Sequence, residues 1–125
     1  MLKNHGNMKP KLLGITIAMA CLLVSCSLAF AHAVLVSSTP KAHETVHGPS
    51  LDIDLKFNSR IDGNRSRLSV VFSDGSERSL SLSKQVEPNE LIGRAQLPPG
   101  NYILRWQALA VDGHITRGQI PFTVV

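Results

Sequence analysis

The chain has 125 residues, a formal charge of +4, 43% hydrophobic residues and two cysteines. This length allows one domain and leaves little room for a second. The totals combine two segments of different character, because residues 12–30 contain no charged side chain while Lys3, Lys9 and Lys11 precede them.

The N-terminal segment has the organisation of a secretory signal. A basic stretch and an apolar core are followed by Ala29-Phe30-Ala31, which predicts cleavage after Ala31 and a mature domain at residues 32–125. Two alternatives remain open. Nineteen uncharged residues are nearly long enough for an uncut bilayer anchor, although the strongly apolar part, residues 12–24, is short for one. Leu23-Val24-Ser25-Cys26 also resembles a lipoprotein signal, in which Cys26 would become the lipidated first residue.

Cleavage after Ala31 would change the chemistry of the chain. Removing three lysines from 13 basic residues leaves ten against nine acidic ones, so the mature charge is +1. Both cysteines and all three methionines are removed as well. The mature form therefore excludes a disulfide scaffold, a thiolate metal site and a cysteine nucleophile, and it lacks the strong basic surface expected of a nucleic-acid-binding protein.

Short segments of alternating polarity, separated by turn residues, follow in the mature chain. They predict a small all-β sandwich of about seven strands. Tyr102, Leu104 and Trp106 are expected on one face, in the core. The predicted strands are residues 34–36, 51–57, 68–72, 79–82, 91–97, 102–109 and 118–125.

Common hydrolase, nucleotide-binding and zinc-protease motifs are absent, which directs attention to the mature histidines. His32 would be the first residue after cleavage and would offer its α-amine and its imidazole to one metal ion. Both groups can lose their protons near neutrality at modest cost. Asp112-Gly113-His114 could add a carboxylate and a second imidazole, on one face if the segment is extended and with Gly113 permitting close approach.

Three nitrogens and one oxygen, without sulfur, suit Cu(II) better than Zn(II) or Cu(I). Taken singly, Asp-Gly-His is an ordinary turn and a histidine after a signal site is an ordinary residue, so the hypothesis depends on their conjunction. His43 and His47 lie in a polar segment rich in turn formers and are interpreted as solvated loop residues. Whether either assists the metal stays open.

The mature chain resembles the periplasmic copper-resistance CopC family over nearly its whole length. It opens with His32-Ala33-Val34-Leu35-Val36-Ser37-Ser38-Thr39-Pro40, similar to the family's H-A-x-L-x-x-S-x-P. Leu55-Lys56-Phe57 is similar to the strand before the family's first long loop. The closing part of the chain resembles the family's Y-x-x-x-W…D-G-H…G…F pattern, with Tyr102, Trp106, Asp112-Gly113-His114, Gly118 and Phe122 at the matching positions.

The resemblance implies an immunoglobulin-like Greek-key β-sandwich, with one Cu(II) ion bound by the amine and imidazole of His32 with Asp112 and His114. It also implies a periplasmic, non-enzymatic protein that buffers copper or delivers it to a membrane partner such as a CopD-type importer. Some relatives have a glutamate after a Phe-Ser pair, where this chain has Phe57-Asn58-Ser59-Arg60, and a methionine-rich Cu(I) site. We therefore expect no Cu(I) site.

Two other classes of function remain as alternatives. An N-terminal histidine brace also resembles the copper site of polysaccharide monooxygenases, although those are generally larger and have a flat substrate face. An immunoglobulin-like envelope scaffold without metal, tethered through Cys26, is the other alternative. Lipidation there would leave His32 without a free amine.

Overall fold

The computed structural model of the chain describes residues 32–125, so the predicted signal segment, its cleavage site and Cys26 lie outside the described residues. Within residues 32–125, no helix is long and apolar enough to cross a membrane. One short 3-10 helix, Gly63–Arg65, accompanies eight strands. These are β1 (Leu35–Thr39), β2 (Thr45–Val46), β3 (Ser50–Phe57), β4 (Arg67–Val71), β5 (Glu77–Leu80), β6 (Glu90–Gln96), β7 (Gly100–Leu109) and β8 (Ile115–Val124).

The strands form two packed sheets, which confirms the predicted β-sandwich. One sheet has the order β1-β3-β6 and the other β2-β8-β7-β4-β5. All neighbours are antiparallel except β2 and β8, which are parallel. Alternation in the sequence determines which side chains face inwards. In β3, for example, Leu51, Ile53, Leu55 and Phe57 are buried, while the residues between them face outwards.

Aromatic side chains of β7 occupy the core, as predicted. Trp106 packs edge-on against Phe57 with ring centroids 5.3 Å apart, and both side chains are buried. Gly118 lies directly opposite Trp106 on β8, where the missing side chain leaves room for the indole. The Tyr102 hydroxyl donates to the carbonyl of Pro98 at 2.6 Å, an arrangement similar to the tyrosine corner of immunoglobulin domains.

The structure differs from the sequence prediction mainly at strand ends. The eighth strand, β2, lies in the segment interpreted as a loop, and its two residues are extended because they pair with Thr123 and Val124 of β8. β8 begins at Ile115 rather than at residue 118, and β5 begins at Glu77 rather than at residue 79. In β1 the register with β3 shifts between Leu35 and Ser37, a bulge that leaves Val36 largely exposed.

Candidate metal centre

The turn between β7 and β8 carries two of the predicted ligands. The N–H of Gly113 donates to the carbonyl of Ala110, and the N–H of Ala110 donates to the carbonyl of His114. The segment is therefore a tight turn, and the expectation of an extended Asp112-Gly113-His114 is wrong. Gly113 adopts φ +93°, and a Cβ there would have no atom within 4 Å. Its role is thus to permit the turn conformation, not to clear space beside the ligands.

Asp112 and His114 are joined by two contacts. One carboxylate oxygen, Oδ1, accepts from the backbone N–H of His114 at 3.1 Å. The other, Oδ2, lies 2.9 Å from Nδ1 of the His114 imidazole. The backbone hydrogen bond, and to a lesser degree the His114 and His32 side chains, hold the pKa of the Asp112 carboxyl below its ordinary value. The carboxylate therefore stays ionised and orients the imidazole, as acidic partners of metal-binding histidines commonly do.

His32 lies beside this pair, although it comes from the opposite end of the described chain. The centroids of the His32 and His114 rings are 4.9 Å apart and the rings are nearly perpendicular, at 78°. The two imidazoles and the Asp112 carboxylate are consequently neighbours at one end of the sandwich. The predicted convergence of the chain's first and last motifs is thus present in the fold.

The three residues are close together without forming a completed set of ligands. Among residues 32–125, no three His, Cys, Asp or Glu side chains are already arranged to hold one metal ion. Oδ2 of Asp112 is occupied by the His114 ring, and the backbone nitrogen of His32 is a peptide nitrogen as long as Ala31 precedes it. The side chains of the cluster offer two imidazoles and one carboxylate.

A neighbouring loop fixes the end of β7 from which this turn departs. Ile61 pairs with Ala110, and the N–H of Asp62 donates to the carbonyl of Leu109 at 2.8 Å. Ser66, which is 5% exposed, donates to the carbonyl of Asp62 at 2.7 Å and accepts from the N–H of Leu109 at 3.1 Å. Sequence reasoning missed Ser66, because a single serine in a loop forms no motif.

His43 and His47 lie at the other end of the sandwich. The N–H of His43 donates to the carbonyl of Pro121, and His47 follows the strand that pairs with the end of β8. Pro121 is six residues along β8 from Ile115, a distance of about 20 Å in an extended strand. Both histidines are therefore far from His114 in the described structure.

Exposed apolar side chains adjoin the candidate ligands, another feature that the sequence analysis did not single out. Val111 is 70% exposed, Ile115 48% and Val34 53%. Each is within two residues of His32, Asp112 or His114, so chain position alone could have indicated them. They are therefore exposed apolar residues close in the chain to the polar cluster.

Comparison with known proteins supports the assignment of this fold. The crystal structure of CopC from Methylosinus trichosporium OB3b has a TM-score of 0.69 and 29% identity, covering 74% of this chain and 93% of that one. PcoC from Escherichia coli, described as a methionine-rich copper resistance protein, has a TM-score of 0.63 and 27% identity, covering 76% and 100%.

A much longer relative also matches. The copper transport protein CutJ of Bacillus subtilis (strain 168) is 26% identical over 99 residues, which cover 76% of this chain. The matched region is only 18% of the length of CutJ. The sequence model of the CopC domain family matches residues 35–125, which is most of the sequence. By this match the chain belongs to the CopC family, whose members are copper-binding proteins and not enzymes.

Proposed function

We propose that the protein is exported to the periplasm, loses residues 1–31, and binds one Cu(II) ion through the α-amine and imidazole of His32 together with Asp112 and His114. The observation that carries this proposal is the position of the His32 ring, 4.9 Å from the His114 ring and adjacent to the Asp112 carboxylate. His32 is about 80 residues from Asp112 and His114 in the chain, and the fold brings it to the end of the sandwich where their turn lies.

Cleavage after Ala31 would supply the fourth donor. A free α-amine at His32 lies one side chain away from its own imidazole, so both can close a chelate ring on one ion. The amine has an ordinary pKa of about 8, so copper can displace its proton at neutral pH. This accounts for a cluster that is incomplete in side chains alone, because the missing ligand is created by processing.

The donor types favour Cu(II). Nitrogen and oxygen ligands suit Cu(II), whereas Cu(I) prefers sulfur. Residues 32–125 contain neither methionine nor cysteine, in contrast to the methionine-rich PcoC. We therefore propose that this protein has one Cu(II) site and no Cu(I) site, so copper is not exchanged between sites for the two oxidation states.

The Asp112–His114 contact defines how the site would change on binding. While Oδ2 of Asp112 contacts Nδ1 of His114, Nε2 is the imidazole nitrogen available to copper. Direct coordination by Asp112 requires that oxygen to leave the ring. In either arrangement the carboxylate partly neutralises the charge of the ion and keeps the imidazole oriented.

The physiological role we propose is to buffer periplasmic copper or to deliver it to a membrane transporter. CutJ supports delivery, because a segment similar to this chain is part of a longer protein named for copper transport. A CopD-type inner-membrane transporter is the partner that fits this role. Because the CopC family is not enzymatic, the proposed role is copper binding and not catalysis.

The test begins with the first residue of the exported protein. We expect mass spectrometry of the periplasmic form to give residues 32–125 and Cu(II) titration to give one ion per chain. Inserting one alanine before His32 should strongly weaken binding and change the EPR spectrum, since the amine and imidazole then belong to different residues. A variant with both His43→Ala and His47→Ala is the matched control and should bind like the wild type.

Three results would contradict the proposal. They are a mature chain that begins at lipidated Cys26, an exported protein that does not bind Cu(II) stoichiometrically, and an alanine insertion that leaves affinity and spectrum unchanged.

A further inference from the structure

The segment that carries His32 is attached to the sandwich at few points. Regular pairing with β3 begins only at Leu35, and the bulge at Val36 interrupts it immediately. Before Leu35, the side chain of Ala33 is fully buried in the core. Ala33 has a single methyl group, so this burial provides little directional restraint on the residue before it.

Asn58 provides the restraint that the ladder lacks. It follows the last residue of β3, and its backbone N–H donates to the carbonyl of Val34 at 2.9 Å. Its side-chain oxygen Oδ1 accepts from the N–H of Val34 at 2.7 Å. The amide side chain thus takes the place of a main-chain acceptor and extends the β1–β3 pairing by one residue beyond Leu35 and Phe57.

This extension determines where His32 can lie. His32 is two positions before Val34, so their Cα atoms are at most about 7 Å apart. Both the N–H and the carbonyl of Val34 are hydrogen-bonded to Asn58. His32 can therefore lie only within a small region, and that region contains His114. Without the side-chain contact, only one hydrogen bond and the Ala33 methyl group would restrain the segment.

We propose that Asn58 is a positioning residue for copper binding, which holds Val34 so that His32 lies beside His114. The inference rests on the proposed function, because it assigns Asn58 a role in the same site. Asn58 does not contact the metal in this proposal. Its contribution is to lower the conformational freedom that the N-terminal residue must lose when it coordinates copper.

The decisive variant is Asn58→Ala, which removes the Oδ1 acceptor and leaves the backbone bond intact. Asn58 is exposed, so the variant is expected to fold. We expect its Cu(II) affinity, measured by competition with a chelator, to fall about five- to tenfold, the change that one hydrogen bond typically makes in an equilibrium constant. Asn58→Asp keeps an oxygen acceptor for Val34 and should bind at least as tightly as the wild type.

Asn89→Ala is the matched control. Asn89 is also an asparagine next to a strand end. It immediately precedes β6, and its side chain donates to the carbonyl of Phe57, the last residue of β3, at 3.0 Å. Its pairing, however, is on the β6 side of β3 and not with the His32 segment. We expect Asn89→Ala to lower the free energy of unfolding without changing copper affinity. If Asn58 had a purely structural role, Asn58→Ala would likewise lower the free energy of unfolding without changing copper affinity.

Proton NMR of the exported, metal-free protein gives a readout that needs no copper. The ring separation of 4.9 Å predicts a nuclear Overhauser contact between His32 and His114, which Asn58→Ala should weaken and Asn89→Ala should retain. An unchanged contact, wild-type affinity in Asn58→Ala, or failure of Asn58→Asp to restore binding would each overturn the inference and leave the copper site itself standing. A wild-type protein that does not bind Cu(II) would overturn both.

Discussion

Replacing Gly118 with alanine should disturb the packing of the single tryptophan. A Cβ at position 118 would lie 2.5 Å from Cε2 and 2.6 Å from Nε1 of Trp106, with Cζ2 also in contact. Carbon atoms pack favourably at about 3.5–4.0 Å, so the overlap is about 1 Å. The obstacle is a rigid indole that is itself packed against Phe57, and either the ring or the β7–β8 pairing has to move.

Overpacking of this kind typically costs about 1–3 kcal/mol of stability. For a domain of this size, each 1 kcal/mol lowers Tm by about 4–8 °C, so Gly118→Ala should lower it by at least about 4 °C. Thermal unfolding followed by far-UV circular dichroism measures the shift, and Trp106 fluorescence should report the altered indole environment.

Gly100→Ala is the matched control for this substitution. Gly100 is another strand glycine, and a Cβ there meets its nearest atom, the Tyr102 hydroxyl oxygen, at 3.4 Å, an ordinary contact. We expect its Tm to be unchanged or slightly raised. A double-mutant cycle adds Trp106→Leu, which should reduce the cost of Gly118→Ala because the obstructing ring is gone. Equal stability of the Gly118→Ala and Gly100→Ala variants would refute the packing argument.

Two further predictions concern polar groups. The pKa of Glu90 is raised above its ordinary 4.5 by hydrogen bonding to Asp54, by partial burial and by the charge of Asp54. The folded state therefore favours protonated Glu90. This contribution to stability is lost as the pH rises through the pKa of Glu90 in the folded state. In urea unfolding, Glu90→Gln should be more stable than the wild type at pH 7, and the difference should vanish below pH 4.5; a difference independent of pH would contradict this. Ser66→Ala removes the hydrogen-bond partner of both the Asp62 carbonyl and the Leu109 N–H. It should lower the free energy of unfolding by about 1–3 kcal/mol in the same assay. A decrease below about 0.5 kcal/mol would show that water replaces the hydroxyl.

The core strands could be predicted from the sequence because their pattern is local. Alternation in β3 and the spacing of aromatic residues in β7 are visible in a few consecutive residues, and burial follows from them. β2 could not be found this way. Its two residues lie among turn formers and become extended only by pairing with β8, about 80 residues later in the chain.

The candidate site was predictable in part. The sequence identified Asp112 and His114, but the turn that holds them depends on hydrogen bonds from Ala110 and on the positive φ of Gly113. The proximity of His32 to His114 is non-local, so the sequence offered it only as a conjunction of two ordinary motifs, to which the family resemblance added support. Asn58 attracted notice in the sequence only as part of a stretch that lacks a glutamate, because no local pattern shows that its side chain reaches Val34.

The short strand β2 and the bulge in β1 have a consequence for solubility. Outer strands of a sheet present unpaired backbone groups on which another chain can add a strand and begin to aggregate. In residues 32–125 the larger sheet ends in β2, which has two residues, and in β5, which has four. The smaller sheet ends in the bulged β1 and in β6, where the N–H of Ser83 already donates to the carbonyl of Ile92. Few unpaired backbone groups at the sheet edges are thus arranged to accept another strand. The folded domain should therefore resist strand-mediated aggregation even at high concentration.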